Sequence, residues 1–393
     1  MSDPMSNGQV RLTIDDQVID TLPGRMLIDV AEEHGVFVPR FCYHPGLESV
    51  AACRMCLVEI EGGKRPLEPA CATQIAQGMV VHTKSETAEA AQKAVLEMLL
   101  INHPLDCPIC DRGGECPLQD QTMAFGPGTS RYMEEKRHFK KPLPISDLVL
   151  LDRERCVLCW RCVRFCDEVS GDRFIDLMDR GSHTQINIAE EKPFDSYFSG
   201  NTIQICPVGA LTSSSYRFLS RPWDLKKSST VCSHCSVGCP ISLEHRDGEV
   251  LRAQALPNEE VNSFWNCDKG RFGHRYVSHP ERLRSPSVRQ PSGMKPASWT
   301  VALDRIANTL KNISASSGPQ AIGLIGGSRA TNEDLYAAAT FFRETIGTNN
   351  LDFRTFDADF PYEHLAVAGF AGSTASLNDL DDAGVILWVG PDP

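Results

Sequence analysis

All sixteen cysteines of this 393-residue chain lie before residue 268, and their spacing constrains the fold more than any other feature. Cys42, Cys53, Cys56 and Cys71 form a first group. His103 followed by Cys107, Cys110 and Cys116 forms a second. Cys156, Cys159 and Cys162, with Cys166 behind them, open a third, and Cys232, Cys235, Cys239 and Cys267 make a fourth. Cysteines two or three residues apart let neighbouring backbone turns aim several sulfurs at one point. Such soft ligands select iron–sulfur clusters, zinc or copper(I). An even cysteine count also suits a disulfide framework, but that reading belongs to short secreted chains. The opening MSDPMSNGQV has neither a charged-then-apolar signal nor Arg-rich transit character. Four redox centres in the first 267 residues imply electrons passing along a line.

Composition removes other classes. The chain has 51 acidic against 39 basic residues, whereas a nucleic-acid binder needs a basic face to displace counterions. No apolar run approaches the roughly 20 residues of a membrane-spanning helix. The expectation is a soluble, cytoplasmic protein, and its length alone suggests two to four domains.

Along the chain, VRLTIDDQVIDTLP, which begins at Val10, predicts two short strands about an Asp-Asp turn, and MLIDVAEEH (26–34) a helix stopped by Gly35. Strand, strand, helix and then a cysteine loop is the order of a plant-type ferredoxin, a β-grasp fold. Thr83 to Glu86 has the form of a capping box opening a helix over about 85–102, with Ala88, Ala91, Val95, Met98 and Leu99 on its apolar face. Phe125 to Pro144 reads as a linker. A ferredoxin-like unit follows over about 147–220, and a strand-rich unit over about 228–285. Beyond Pro286, helical periods (299–313 and from Thr331) alternate with apolar strands (320–327 and 385–390), which predicts an α/β sheet. A sheet cut just after a strand is expected to be incomplete, as in the N-terminal part of a longer protein.

Each ligand set has a competing reading. For the first, the x10-x2-x14 spacing departs from the plant-type form, and structural zinc is the alternative to a [2Fe–2S] cluster. The second has only three thiolates, so a four-iron cluster needs His103, while zinc held by three cysteines and one histidine is the alternative. In the third, Cys156, Cys159, Cys162 and Cys166 form a bacterial ferredoxin run, whose fourth cysteine belongs to a neighbouring cluster. The thiolates of that neighbouring cluster would precede Cys206-Pro207, at positions held by Ser196, Ser199 and Thr202. Cys206 is therefore expected to complete the third set, leaving Cys166 a small buried apolar residue. Cys232, Cys235, Cys239 and Cys267 complete a fourth set, again with zinc as the alternative. The basic stretch from Arg131 to Arg164 reads as a solvated surface, or as charge offsetting the clusters. Gly323 to Gly327 is not a dinucleotide fingerprint, and there is no Walker motif.

Phe41-Cys-Tyr-His-Pro45, Cys53-Arg-Met-Cys-Leu-Val-Glu59, the run from Asn102 to Cys116, Cys156-Val-Leu-Cys-Trp-Arg-Cys162 and Arg221-Pro-Trp-Asp-Leu225 resemble the large iron–sulfur subunits of respiratory complex I, the proton-pumping NADH:quinone oxidoreductase. The resemblance implies a [2Fe–2S] domain over 1–84, a histidine-and-cysteine [4Fe–4S] domain over 85–146 and a [4Fe–4S] ferredoxin-like domain over 147–224. It further implies a [4Fe–4S] domain of the molybdenum/tungsten oxidoreductase type over 225–285. An incomplete molybdopterin-oxidoreductase-like α/β domain, holding no molybdopterin, would follow over 286–393. The implied cofactors are one two-iron and three four-iron clusters, the fourth set lying off the main path. The implied partners are a flavin subunit that binds NADH, a small two-iron subunit and the quinone-module subunits. The implied place is the cytoplasmic face of the bacterial inner membrane, without a span of its own. The alternative is a truncated catalytic subunit of an NAD-linked molybdenum or tungsten formate dehydrogenase. It would require a further active-site cysteine or selenocysteine, and no cysteine follows Cys267.

Overall fold

The computed structural model describes residues 8–188, 193–327, 330–352 and 375–387. Two compact units divide at Arg275 and Tyr276.

The first unit begins with strands β1 (Val10–Ile14) and β2 (Gln17–Thr21), paired antiparallel. Asp15 turns between them with φ +49°, a left-handed conformation that Asp tolerates. Helix α1 (Leu27–Glu33) buries Leu27, Ile28, Val30 and Ala31 and stops at Gly35, φ +77°. Strands β3 (Leu57–Ile60), β4 (Glu68–Pro69) and β5 (Val80–His82) complete a sheet of order β2-β1-β5-β3-β4, with β1 and β5 parallel.

Helix α2 (Glu86–Asn102) differs from expectation at its start and on its face. Thr83 does not cap it, because its backbone N–H and hydroxyl donate to Asp15 at 2.7 and 2.8 Å. Ser85 is the cap, accepting from Ala88 N at 3.2 Å. The buried stripe is Ala88, Gln92 and Leu96, while Met98 is 73% exposed. Gln92 faces inward because its amide reaches the carbonyls of Leu57 and Thr83.

Helix α3 (Pro117–Phe125) follows the second cysteine group, and residues 126–142 carry no regular element. Next come β6 (Leu143–Pro144), β7 (Val149–Leu151), α4 (Arg161–Arg164), β8 (Ile175–Met178), β9 (Gln185–Ile188), α5 (Gly200–Ile205) and β10 (Leu211–Ser213). Sheet β10-β7-β6 and hairpin β8-β9 enclose a core of Phe165, Phe194, Leu151, Ile175 and Ile186. Full burial of each such side chain stabilises by about 1.5–3 kcal/mol. Cys116, Cys159, Cys162 and Cys206 lie in this same core. The antiparallel strands β11 (Lys226–Val231), β12 (Pro240–Arg246) and β13 (Glu249–Ala255) lead to helix α6 (Asp268–Phe272).

The second unit contains hairpin β14 (Ser287–Gln290) and β15 (Gly293–Pro296), helix α7 (Trp299–Ser317), strand β16 (Leu324–Ile325), helix α8 (Asn332–Thr340) and strand β17 (Leu351–Asp352). Thr331 caps α8 in a reciprocal pair with Asp334. Strands β16 and β17 pair in parallel. The buried strand expected over 320–327 shortens to two residues, with Ile322 buried and Ile325 81% exposed. With one described partner strand, only one edge of β16 is paired. The strand expected over 385–390 is not formed by Val385, Ile386 and Leu387, which are exposed and, among the described residues, have no strand beside them; 388–390 lie outside the described residues. Among the described residues no helix is long and apolar enough to cross a membrane.

Candidate metal centres

The first set sits where two apolar cores meet: Cys42 belongs to one, Cys56 and Cys71 to the other. Its loop runs through Ala51 and Arg54 in the left-handed region, φ +49° and +58°. Such turns bring successive N–H groups round to one side, a concavity that suits anionic sulfur. Cys42 N donates to Cys53 Sγ at 3.4 Å. Hydrogen bonds from the Cys53 and Cys71 thiols hold Cys42 far below the ordinary thiol range, and the same contacts push Cys53 and Cys71 up. Cys56 is lowered by its bond with Cys71. The four sulfurs are thus within reach of one another.

At the second set α2 delivers His103, whose extended backbone (ψ 126°) turns the chain out of the helix. His103, Cys107, Cys110 and Cys116 line one cavity of about 260 Å³, walled also by Leu118, Arg155 and Gly209. A Cβ on Gly209 would stand 2.1 Å from Cys110 Sγ, so only glycine fits there. Burial, then the charges of Arg155 and Lys136, push His103 down to about 4. The imidazole is therefore neutral and keeps a lone pair for iron. Burial pushes Cys110 and Cys116 up, against the amides of Gln119 and Leu118 at the start of α3, which pull Cys116 down.

At the third set Cys156, Cys159, Cys162 and Cys206 line a single small cavity. Leu158 and Trp160 between them are left-handed, φ +50° and +64°, and Leu158 N donates to Cys156 Sγ at 3.4 Å. Burial raises all three thiols of the loop, Cys159 to about 11. Cys166 does not line this cavity. It is fully buried on the helical turn beyond, beside Ser170 and Asp172.

The hydroxyls that replace thiolates are tied up elsewhere. Ser199 Oγ donates to Asp268 at 2.5 Å, Thr202 Oγ1 donates to Ser199 O, and Ser196 Oγ accepts from Phe198 N. Gly200 N also donates to Asp268, at 2.7 Å. The buried guanidinium of Arg271 reaches Asn201, Gln204 and Asn266 across the same space. A Cβ on Gly200 would strike Arg271 Cδ at 2.2 Å. A polar knot thus fills the region around these hydroxyls.

The fourth set combines the β11–β12 loop, where Cys232 N donates to Cys239 O at 2.8 Å, with Cys267 just before α6. Burial, then the mutual charges of Cys267 and Cys235, raise Cys232. Gly270 leaves room for sulfur: a Cβ there would lie 3.2 Å from Cys232 Sγ. The Tyr197 hydroxyl hydrogen-bonds Cys267, and Cys235 is exposed.

Arginines fasten these loops together. Arg161 donates to Ile205 O at 2.9 Å and to Tyr43 O. Arg164 donates to the carbonyls of Cys42 and Glu48. Arg112, from the second set's loop, donates to Gln204 O and Cys206 O at 2.8 and 2.6 Å. The third set is thereby bonded to the first and the second. Sequence reasoning left Arg155, Arg161 and Arg164 in a run read chiefly as solvated surface; the structure turns them inward, with Arg155 and Arg164 buried. Their adjacency to ligand cysteines was the available signal. Gly209, three residues past Cys206, carried none.

The thiolate sets, their inward-facing amides and the glycine clearances fit iron–sulfur clusters.

Comparison with known proteins agrees segment by segment. Residues 7–86 match the family described as a 2Fe-2S iron-sulfur cluster binding domain, and 92–131 the NADH-ubiquinone oxidoreductase-G iron-sulfur binding region. Residues 146–212 match the ferredoxin-like domain of NADH-quinone oxidoreductase subunit 3. The molybdopterin oxidoreductase Fe4S4 domain matches 225–279 and molybdopterin oxidoreductase 282–393. The chain is therefore multidomain, ferredoxin-like folds preceding a molybdopterin-oxidoreductase-like region. The G subunit of NADH-quinone oxidoreductase from Mycobacterium bovis is 49% identical over 98% of this chain and 48% of its own length. Its Streptomyces coelicolor counterpart is 48% identical over 97% of this chain and 47% of its own. A solved NAD+-reducing [NiFe]-hydrogenase in the H2-reduced state is 27% identical, with a TM-score of 0.48, over 54% of this chain and 90% of that one. The chain spans about half the length of the curated relatives it matches. With near-complete coverage at this identity, and with every cysteine group inside a matching iron–sulfur segment, the chain belongs to the G-subunit family of NADH-quinone oxidoreductase.

Proposed function

We propose that this chain is the wiring of an NADH:quinone oxidoreductase: it takes electrons from a flavin subunit and passes them toward the quinone module. It makes and breaks no substrate bond. One [2Fe–2S] cluster would be held by Cys42, Cys53, Cys56 and Cys71. Three [4Fe–4S] clusters would be held by His103, Cys107, Cys110 and Cys116; by Cys156, Cys159, Cys162 and Cys206; and by Cys232, Cys235, Cys239 and Cys267. Bound clusters supply reversible one-electron chemistry at potentials set by ligand type, hydrogen bonds to sulfur and burial. The chain's residues hold the ligands rigid, exclude water and place charge beside them. The observation that carries the reading is the third set's position, bonded through Arg161 to the first set's loop and through Arg112 to the second's.

The partners in this reading are the NADH-binding flavin subunit, a small two-iron subunit and the quinone-module subunits, at the cytoplasmic face of the bacterial inner membrane. Molybdopterin has no role in it. Molybdenum or tungsten at one per chain, together with formate oxidation, would favour an NAD-linked formate dehydrogenase instead.

His103 gives the test. Imidazole carries less negative charge than thiolate and raises a cluster's potential. His103→Cys should keep a four-iron signal at a lower potential, and His103→Ala should lose it or make it labile, with NADH-to-quinone electron flow impaired in both. An unchanged spectrum, potential and stability in His103→Ala would make His103 only a helix-end residue and overturn the ligand assignment of the second set.

A further inference from the structure

Arg155 occupies a place no ligand motif explains. It directly precedes Cys156 of the third set, yet its side chain walls the cavity of the second. Gly209 is crowded from both sides, since a Cβ there would stand 2.1 Å from Cys110 Sγ and 3.6 Å from Arg155 Cδ. The guanidinium is nearly inaccessible, 4% exposed at the side chain. It is held by Asp106 at 2.9 Å and by Asp152 at 3.1 Å. Asp106 is itself bonded to Lys141 at 2.6 Å and also lines the cavity.

A buried charge held by two carboxylates is costly to desolvate, and such an arrangement is weak evidence for a purely stabilising role. Here the charged side chain lines the same cavity as His103, Cys107, Cys110 and Cys116. An electron added to a cluster raises its negative charge by one unit, and a fixed cation in a low-dielectric wall favours that state. We propose that Arg155 is a positioning and tuning residue of the second site, whose guanidinium raises that site's reduction potential while Asp106 tempers it. This rests on the second set holding a four-iron cluster.

The test is a potentiometric titration, followed by low-temperature EPR, of the protein purified anaerobically in the assembly its host makes. Arg155→Met keeps much of the volume and removes the charge. It should shift the second-site midpoint to more negative potential, by more than the third-site midpoint moves. Arg155→Lys, which keeps the charge, should restore most of the shift. Because Arg155→Met leaves buried Asp152 and half-buried Asp106 short of a partner and can block assembly, Asp106→Asn is a second arm. It keeps an acceptor for Arg155 and Lys141 and should move the same midpoint to more positive potential. A second-site midpoint unmoved by Arg155→Met at full iron content, or unmoved or lowered by Asp106→Asn, overturns the proposal. If the unsubstituted protein shows no four-iron signal that Cys110→Ala removes, the cluster assignment beneath it fails instead.

Discussion

The third and fourth cysteine sets open with nearly the same spacing in sequence and have opposite settings in the fold. Cys159, Cys162 and Cys206 sit in the largest apolar core, ringed by Arg161, Arg164 and Arg112, whose guanidinium groups fasten to carbonyls of three loops. The fourth set lies at the end of a small sheet whose core is Cys232, Ile241 and Ala253, with Cys235 open to solvent and β11 exposed along its length. Two identical ligand chemistries therefore meet different dielectrics and different access. The sealed site suits relay between neighbours; the rim site depends on its polar attachment through Asp268 and Arg271.

The largest expected effect is at the sealed site. Cys206→Ala should abolish the third signal and reduce NADH-to-quinone electron flow to background, leaving the fourth signal in place. Cys166→Ala should leave every cluster signal intact. The reverse outcome, loss of a four-iron signal in Cys166→Ala, would mean that Cys166 completes the third site.

Access should separate the two sites next. On exposure to air or an iron chelator, the fourth signal should decay well before the third, because oxidation of cysteine follows exposure. Equal decay rates, monitored by EPR amplitude over time, would erase the comparison.

The attachment of the rim site can be weakened directly. Ser199→Ala removes the hydroxyl that donates to the Asp268 carboxylate, a loss of roughly 1.5–3 kcal/mol. Thermal unfolding of the protein should move to lower temperature, with the fourth signal affected more than the first.

The smallest effect concerns acid. Burial holds His274, near the fourth set, below its ordinary value. Folded His274 is neutral where the unfolded chain binds a proton, so its contribution is complete above about pH 6.5 and is lost as pH falls toward its lower folded value. His274→Phe should flatten the pH dependence of stability in that window, as measured by denaturant midpoints at successive pH values.

The grouping of the cysteines and the element order were legible in the sequence because cysteine spacing and strand periodicity are local signals. The antiparallel β1–β2 pair and α1 stand within a residue or two of their expected bounds. What eluded it depends on distant partners. Thr83 looked like a cap until Asp15, from the opposite end of its domain, claimed it. Ser199 and Thr202 showed the absence of thiolates, but nothing local says that Arg271 and Asp268 fill the space. Arg161 and Arg164 are surface-like by type and turn inward, with Arg164 buried, because carbonyls of the first set's loop accept from them. In the second unit the apolar segments were legible, but their burial was not: Ile325 and Val385 are exposed.

The most direct measurement is low-temperature EPR of the reduced, anaerobically purified protein, with iron and zinc counted on the same sample. One two-iron signal and three four-iron signals, with iron to match and no stoichiometric zinc, is the predicted result. Iron clearly below that content, with zinc in its place at any of the four sets, would contradict the account for that set and break the wire where it stands.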